Sequence, residues 1–192
     1  MKVAIHQPEH FPYEGFFQKL KLADIFVILD DVKFCKNNFQ NRNKIKLLSG
    51  KVQWITVPVE KKATRKIIKD VTVSADVIWR KKINQTIFQN LKTDISDIYM
   101  YDKLVDINMS SIKWCMVRMG IETPIVMASE LNVKGHKSEL LANIVRAVDG
   151  REYISGSGGR DYLNDEYFGD IKVTYFEPVV NNYYSMLYNL TR

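Results

Sequence analysis

The residues best suited to chemistry fall in three polar segments, each directly after an apolar run. The first segment, His6 to Pro12, follows Val3-Ala4-Ile5. The second segment, Asp30 to Lys44, follows the apolar run 25–29, and Ser155 to Asp161 follows a later run. Ligands of open α/β sheets bind at loops beyond the carboxyl ends of the strands, so the three segments are predicted to converge on one site.

The candidate catalytic residues are those that stand first after these apolar runs. His6, followed by Gln7, is expected to face the crevice with a pKa near working pH, which suits an imidazole to proton transfer. The alternative is a histidine bonded to a neighbouring backbone carbonyl. Asp30 and Asp31 close the second run, where a carboxylate binds a metal, orients a base or holds an amino group, unless it bonds only to turn amides. The predicted catalytic residues are therefore His6, Asp30 and Asp31, and at most one of the two adjacent aspartates can line a given pocket directly.

The second and third segments carry the groups expected to bind a substrate. The run from Asn37 to Asn43 contains four asparagines, one glutamine and Arg42. Clustered amides bind sugar hydroxyls, amides or base edges, and arginine with nearby lysines holds phosphate oxygens. The glycines of the third segment permit close backbone approach to an anion, although the segment is neither a Walker loop nor GxGxxG. The predicted substrate-binding residues are Gln7, Lys36, Asn38, Gln40, Asn41, Arg42, Gly158, Gly159, Arg160 and Asp161.

The elements that position these segments are read from the apolar pattern. Lys19 and Lys21 are predicted on the open face of the first helix, and Trp54, Trp79 and Trp114 in the core. Strands that alternate with helices predict an α/β fold: a three-layer, Rossmann-like, mostly parallel sheet with flanking helices, in a single domain over residues 1–192. The predicted strands are 3–5, 25–29, 52–57, 125–127, 152–154 and 173–176, and the predicted helices are 16–23, 76–91, 109–119 and 138–148.

Composition narrows the class of protein. The chain is 46% hydrophobic and 26% charged, as globular proteins are, and its net charge of +6 comes from scattered lysines and arginines. No zinc-finger, RNP or repeat pattern is present, so no nucleic-acid partner is expected. Cys35 and Cys115 have no metal-ligand spacing, so no metal-binding residue is predicted, and no cofactor is identified. The amino terminus is unlike a signal peptide and no apolar stretch is long enough to span a membrane, so the cytoplasm is the expected location.

Four blocks of the sequence, in this order, resemble the WbqC-like family of bacterial proteins. The resemblance covers most of residues 1–178 and becomes loose from Val180 to Leu190. The blocks are HQPEHFPYEGFFQKL, ADIFVILDDVKFCKNNFQNRNKIK, QWITVPV and YISGSGGRDYL. The family-like features are His6-Gln7-Pro8, Pro12, Gly15-Phe16-Phe17, Asp30-Asp31-Val32, Phe39-Gln40-Asn41-Arg42-Asn43, Pro58-Val59 and Gly158-Gly159-Arg160-Asp161-Tyr162-Leu163.

This resemblance implies a role in the biosynthesis of O-antigen, lipopolysaccharide or another surface polysaccharide. It implies an acyl- or aminoacyl-transferase, similar to a glycine transferase, that acts on a nucleotide-linked amino sugar. The expected partners are a nucleotide-linked sugar or another phosphorylated small molecule, with an acyl carrier as donor. Two alternatives stay open: a nucleotidylyltransferase-like enzyme, although His6 and His10 do not form an HxGH pair, and a non-catalytic sugar-nucleotide-binding component.

Overall fold

The computed structural model describes residues 1–192, and the chain divides into two compact units of three segments each. The segments of unit 1 are Met1–Gln7, Gly15–Asp30 and Glu122–Val180. The segments of unit 2 are Pro8–Glu14, Asp31–Ile121 and Asn181–Arg192. The single domain over residues 1–192 stays a prediction.

Unit 1 is built on a five-stranded sheet in which every pairing is parallel. The strand order is β5-β2-β1-β6-β7, and the helices α1 (Glu14–Leu22) and α4 (Lys137–Ala147) flank the sheet. The strands are β1 (Lys2–His6), β2 (Ile25–Ile28), β5 (Ile125–Met127), β6 (Glu152–Gly156) and β7 (Lys172–Phe176). The predicted α/β class and parallel sheet are therefore confirmed, and the five strands fall where the apolar runs predicted them.

The core of unit 1 forms because its central strands are apolar on both faces, as strands covered by helices are. Val3, Ala4, Phe26 and Val27 have no exposed surface. Gly150 precedes β6 and packs against both β1 and α4, since a Cβ at this position would lie 2.5 Å from Val3 Cγ2 and 2.6 Å from Val145 Cγ1. A side chain at this position would force the strand and the helix apart.

Unit 2 contains the longer helices and a small antiparallel sheet. Helix α2 (Ile78–Leu91) begins two residues later than predicted, and Asp76 Oδ1 accepts a hydrogen bond from Ile78 N at its start. Helix α3 (Leu104–Met119) begins five residues earlier than predicted and ends, as expected, at Gly120, whose φ is +60°. A short helix, α5 (Met186–Leu190), was not predicted. None of the helices combines the length and the apolar character needed to cross a bilayer.

The polar segment predicted to run as a loop to Lys44 is in part a strand. Residues Arg42–Lys46 form β3, which pairs antiparallel with β4 (Val52–Thr56), so β4 lies outside the parallel sheet. Asn43 and Ile45 are buried, while the alternate residues Arg42, Lys44 and Lys46 are partly exposed. Buried and exposed side chains therefore alternate as they do in a strand. The sequence does not show this as an alternation of apolar and polar residues, because one of the buried positions is an asparagine.

Candidate functional site

The candidate ligand-binding position in unit 1 lies where the order in which strands are added to the sheet reverses. From β1 the chain adds β2 and β5 on one side, and later β6 and β7 on the other. β1 pairs with β2 through its last residue, His6, and β6 pairs with β7 through its last residue, Gly156. Pairing between β1 and β6 ends earlier, at Ala4 with Ile154. The two strands part at their carboxyl ends, which is where open α/β sheets bind ligands; we call this the switch point.

His6 is at the switch point, and its tautomer is fixed by the backbone. Its Nδ1 lies 2.9 Å from the carbonyl oxygen of Gln7, and a carbonyl only accepts, so Nδ1 carries the proton of the neutral ring. Nε2 is then the nitrogen with the lone pair. The ring packs edge-on against Phe16, with centroids 5.0 Å apart. His6 is thus bonded to a neighbouring backbone carbonyl, as the alternative predicted, and its ring is held in place by Phe16.

The predicted pKa of His6 near working pH is wrong. Burial and, second, the positive charge of Lys19 lower the pKa of His6 to about 3, while the bond to the Gln7 carbonyl acts in the opposite direction. The imidazole is therefore neutral at neutral pH. A neutral ring can accept a proton, but its low pKa makes it a weak base.

Lys19 is a residue that the sequence reasoning missed. It was predicted on the open face of α1, yet it is buried, with 5% of its surface exposed. Its Nζ donates a hydrogen bond to the Ile5 carbonyl at 3.0 Å and lies 6.0 Å from the centroid of Phe26. Helical spacing contained the signal, because Lys19 follows the buried Phe16 by three residues and so shares its face.

The Ile5 carbonyl points to the side of β1 on which β6 no longer pairs. The carbonyls of Lys2 and His6 accept bonds from Asp24 N and Leu29 N, at the two ends of β2. Successive carbonyls of a strand point to opposite neighbours, so that of Ile5 points towards β6. The ammonium of Lys19 therefore donates to the carbonyl that a backbone N–H of β6 would reach if the pairing continued. It also brings a positive charge to the switch point.

Asp30 is placed to hold a loop. It is buried, Oδ1 accepts from Ser129 N at 3.0 Å, and Oδ2 accepts from Ser129 Oγ at 2.7 Å. Both oxygens thus fix the 3-10 turn Ala128–Glu130, which follows β5. This is the backbone-bonding alternative, although the partner is distant in sequence rather than the next amides. Asp31 is partly exposed and belongs to unit 2.

The glycine-rich segment follows β6 as a 3-10 turn, Ser157–Asp161. Gly159 is required by packing, because a Cβ there would lie 2.1 Å from Ser155 Oγ. Gly158 is different: a Cβ there would meet nothing within 4 Å, so its backbone is open to an approaching group. The exposed Arg160 stacks on Tyr175, with its guanidinium carbon 4.5 Å from the ring centroid, and Asp161 is exposed. The contact with Tyr175 therefore helps to hold the positive charge of Arg160 near the end of β6.

The amides of the polar run in unit 2 are mostly occupied by the backbone. Gln40 Oε1 accepts from Cys35 N at 2.8 Å. Asn41 accepts from Asn37 N at 3.0 Å and donates to Val57 O at 3.1 Å. Asn43 donates to the Phe11 carbonyl at 2.7 Å, and the amide side chains of Gln40, Asn41 and Asn43 are all buried. These three amides hold the run in shape, a role that composition alone does not distinguish from ligand binding.

Lys36, Asn38 and Arg42 are the predicted binding residues of this run that reach solvent. The guanidinium carbon of Arg42 lies 4.2 Å from the centroid of Trp54, and its Nε is buried without a hydrogen-bond partner. Trp54 was predicted in the core, but 39% of its surface is exposed. Arg42 and Trp54 therefore form a surface pair, and the substrate-binding role of the three solvent-reaching residues stays a prediction.

Neither His10 nor a metal ion extends the candidate site. His10 has no exposed surface, and its Nε2 lies 3.1 Å from Tyr99 Oη. Burial lowers the pKa of His10 to about 3. No group of three or more His, Cys, Asp and Glu side chains is arranged to hold a metal ion.

Comparison with known proteins gives one family. A model of the WbqC-like protein family matches residues 7–189. Uncharacterized protein Rv1507c of Mycobacterium tuberculosis (strain ATCC 25618 / H37Rv) is 30% identical to this chain over 190 residues, which cover 92% of this chain and 82% of that protein. No solved structure matches the chain. The family predicted from the four sequence blocks is thereby confirmed.

Proposed function

The chain belongs to the WbqC-like protein family, and on this premise we propose that it transfers an acyl or aminoacyl group to the amino group of a nucleotide-linked sugar. Family membership suggests a role in polysaccharide-related biosynthesis, and the O-antigen or lipopolysaccharide pathways are the proposed setting. The glycyl group is the proposed aminoacyl group. The proposal makes the protein a transferase.

One observation carries this proposal: the switch point of unit 1 combines a neutral histidine with a buried lysine. The strand order 5-2-1-6-7 is, counted within the sheet alone, the 3-2-1-4-5 order of Rossmann-like folds, and we infer that unit 1 is Rossmann-like. Such folds bind the phosphates of nucleotides at this point. Lys19, Arg160 and the open backbone at Gly158 supply the positive charge and the space that a diphosphate needs.

The chemical step assigns one role to each group. The amino nitrogen of the sugar attacks the thioester carbonyl of an acyl carrier, a C–N bond forms and the C–S bond breaks. His6 Nε2 accepts the proton that the amine loses and passes it to the departing thiolate, so the carrier leaves as a thiol. Lys19 and Arg160 hold the phosphates, and Gln7 binds the sugar. Much of the acceleration would come from holding the two reactants in place.

The low pKa of His6 fits this step only if the ligand changes it. Positive charge on Lys19 is the second cause of the lowered pKa. A bound diphosphate would offset that charge, and the pKa of His6 would rise towards the range of an effective base. Substrate binding would thus prepare the base for proton transfer.

The nucleotidylyltransferase alternative receives less support. That chemistry uses two histidines on one loop, and the second candidate here, His10, has no exposed surface and is engaged with Tyr99. A sugar-nucleotide-binding component without catalysis would use the same switch-point charges. The alternatives therefore differ in turnover rather than in where the ligand binds.

A ligand screen followed by a turnover assay tests the proposal. The melting temperature would be measured with nucleotide-linked amino sugars, nucleoside triphosphates and free sugars, and the hits incubated with a thioester of glycine. The transferase account expects stabilisation by nucleotide-linked amino sugars and release of free thiol that His6→Gln abolishes. Pyrophosphate release from a nucleoside triphosphate would support the nucleotidylyltransferase instead, and stabilisation without turnover would support a binding component.

A further inference from the structure

One face of the β3–β4 sheet in unit 2 combines positive charge with exposed apolar side chains. The register of the two strands is antiparallel and regular over all five pairs. Directly paired residues share a face, and so do residues two apart along a strand. We call this the basic–aromatic face, and it consists of the three pairs Arg42 with Thr56, Lys44 with Trp54 and Lys46 with Val52.

The opposite face of this small sheet belongs to the core. Asn43, Ile45 and Ile55 are buried on that side. The basic–aromatic face is therefore turned to solvent. Two of its cations lie against the indole of Trp54: the guanidinium carbon of Arg42 is 4.2 Å from the ring centroid, and Lys44 Nζ is 5.0 Å from it. These contacts keep two charges and one aromatic ring together at the surface.

The turn between the two strands extends the face with an apolar residue. Leu48 has 67% of its surface exposed, although its backbone is fixed: Leu48 N donates to Asn90 Oδ1 at 3.0 Å, and Gly50 N donates to the Leu47 carbonyl at 2.9 Å. Gly50 adopts a φ of +84°, which favours glycine. A turn fixed by hydrogen bonds thus exposes a leucine side chain to solvent.

Charge is distributed unequally along the chain, and the basic segments Lys44–Lys46, Lys61–Lys69 and Arg80–Lys82 all lie in unit 2. Residues 32–59, which include both strands of this sheet, contain six Lys and Arg and no Asp or Glu. Unit 2 as a whole has 19 Lys and Arg against 10 Asp and Glu, whereas unit 1 has 9 against 12. The positive excess therefore belongs to unit 2, and its longest stretch without an acidic residue contains the basic–aromatic face.

We propose that the basic–aromatic face and Leu48 dock on the surface of an anionic lipid bilayer. Lysines and arginines are drawn to anionic headgroups, and their long apolar stems let the charges stay in water. Leu48, Val52 and Trp54 would enter the interfacial layer, where tryptophan is favoured. Val52 and Trp54 lie on one face of β4, and Leu48 lies in the turn before that strand. A fluid bilayer accommodates apolar side chains in any arrangement, whereas an acidic protein would need a surface shaped to these three.

This inference does not depend on the proposed transferase activity, because it uses no residue of the switch point. Vesicle co-sedimentation of the full chain tests it, with phosphatidylcholine vesicles and with vesicles of phosphatidylcholine and phosphatidylglycerol in equal parts. Binding is expected only to the anionic vesicles, to weaken with added salt, and to shift tryptophan emission to the blue. The shift should be absent in Trp54→Phe.

Matched variants separate this face from net charge. The double variant Lys44→Gln/Lys46→Gln should bind anionic vesicles about fivefold more weakly for each charge removed. The control Lys61→Gln/Lys62→Gln removes the same charge from exposed residues elsewhere in unit 2 and should bind almost as wild type. Leu48→Ser should weaken binding, and Met100→Ser, at a residue 70% exposed, should not.

Three results would overturn the proposal. The first is the absence of binding to anionic vesicles at low salt. The second is an equal loss in the two double lysine variants, which would indicate attraction by net charge alone. The third is binding to a soluble polyanion such as polyglutamate, with the same dependence on Lys44 and Lys46 and no uptake by vesicles. Circular dichroism of each variant would establish that it is folded.

Discussion

Lys19 Nζ donates a hydrogen bond to the Ile5 carbonyl oxygen at 3.0 Å, and Ile5 is the residue directly before His6. The lysine occupies the side of β1 where β6 no longer pairs. One buried side chain therefore supports the open end of the strand and sets the electrostatic environment of the histidine beside it.

Replacing Lys19 by methionine should raise the pKa of His6. The change keeps most of the apolar stem and removes the positive charge that is the second cause of the lowered pKa. The pKa should stay below the ordinary value, since burial remains the larger cause. Titration of the His6 ring by NMR measures this, with Lys21→Met as the exposed control. An unchanged pKa in Lys19→Met would show that the two residues are not electrostatically linked.

Stability should fall with acid because two histidines are buried in their neutral form. His6 and His10 each have a folded pKa of about 3, against about 6.5 in the unfolded chain. Between these values the unfolded chain binds more protons, so the stabilisation is complete above pH 6.5 and is lost as the pH falls towards 3. Each histidine contributes a slope of about 1.4 kcal/mol per pH unit within this window.

The variant His10→Gln isolates the contribution of one histidine. Glutamine can still bond to Tyr99 but does not titrate, so urea unfolding at several pH values should give a shallower dependence than wild type below pH 6.5. The same change at His136, which is exposed, serves as the control. Parallel curves for wild type and His10→Gln would contradict the assignment.

Asp30→Asn should destabilise the protein by about 1–3 kcal/mol. An asparagine presents an NH₂ group to one of the two donors of Ser129, so one bond of the pair becomes a clash of donors. Ser129→Ala removes only the hydroxyl bond and should lower the free energy of unfolding by about 1 kcal/mol. Denaturant unfolding measures both. If Asp30→Asn left stability intact while abolishing turnover, Asp30 would be a catalytic residue rather than a loop anchor.

The two adjacent glycines of the third segment should respond in opposite ways to alanine. Gly159→Ala places a methyl group on Ser155 Oγ and should destabilise by about 1–3 kcal/mol. Gly158→Ala meets no protein atom, so its melting temperature should match wild type, while binding of a nucleotide-linked sugar should weaken. Equal ligand affinity in Gly158→Ala and wild type would remove Gly158 from the site.

Much of the scaffold was predictable because its strands are apolar runs. The three central strands of the parallel sheet, β1, β2 and β6, each contain a run of three buried residues, and the edge strands β5 and β7 are partly exposed but still rich in apolar residues, so all five leave a hydrophobic signal in the sequence. Strand β3 has no such signal, since three of its five residues are cations turned to solvent and a fourth is Asn43. It forms because Ile45 and Asn43 face inward and β4 supplies its only partner strand.

The site was predicted less completely, for a physical reason that recurs. Residue type indicates what a side chain can do, but burial decides its use. The amides of Asn41 and Asn43 are polar groups that bond to the backbone inside unit 2. Lys19 is the converse case: it was predicted to be exposed to solvent, but it is buried in the core beside His6. Its spacing from Phe16 was the signal that contained the answer.

Calorimetric titration with a nucleotide-linked amino sugar tests the central claim that the switch point binds such a ligand. Wild type is expected to bind at a single site, and Arg160→Gln between about tenfold and about 150-fold more weakly, since a charge-assisted bond to phosphate contributes about 1.5–3 kcal/mol. The control Arg151→Gln, an exposed arginine that precedes β6 at its other end, should bind as wild type. No heat of binding, or equal affinities for the two arginine variants, would contradict the account.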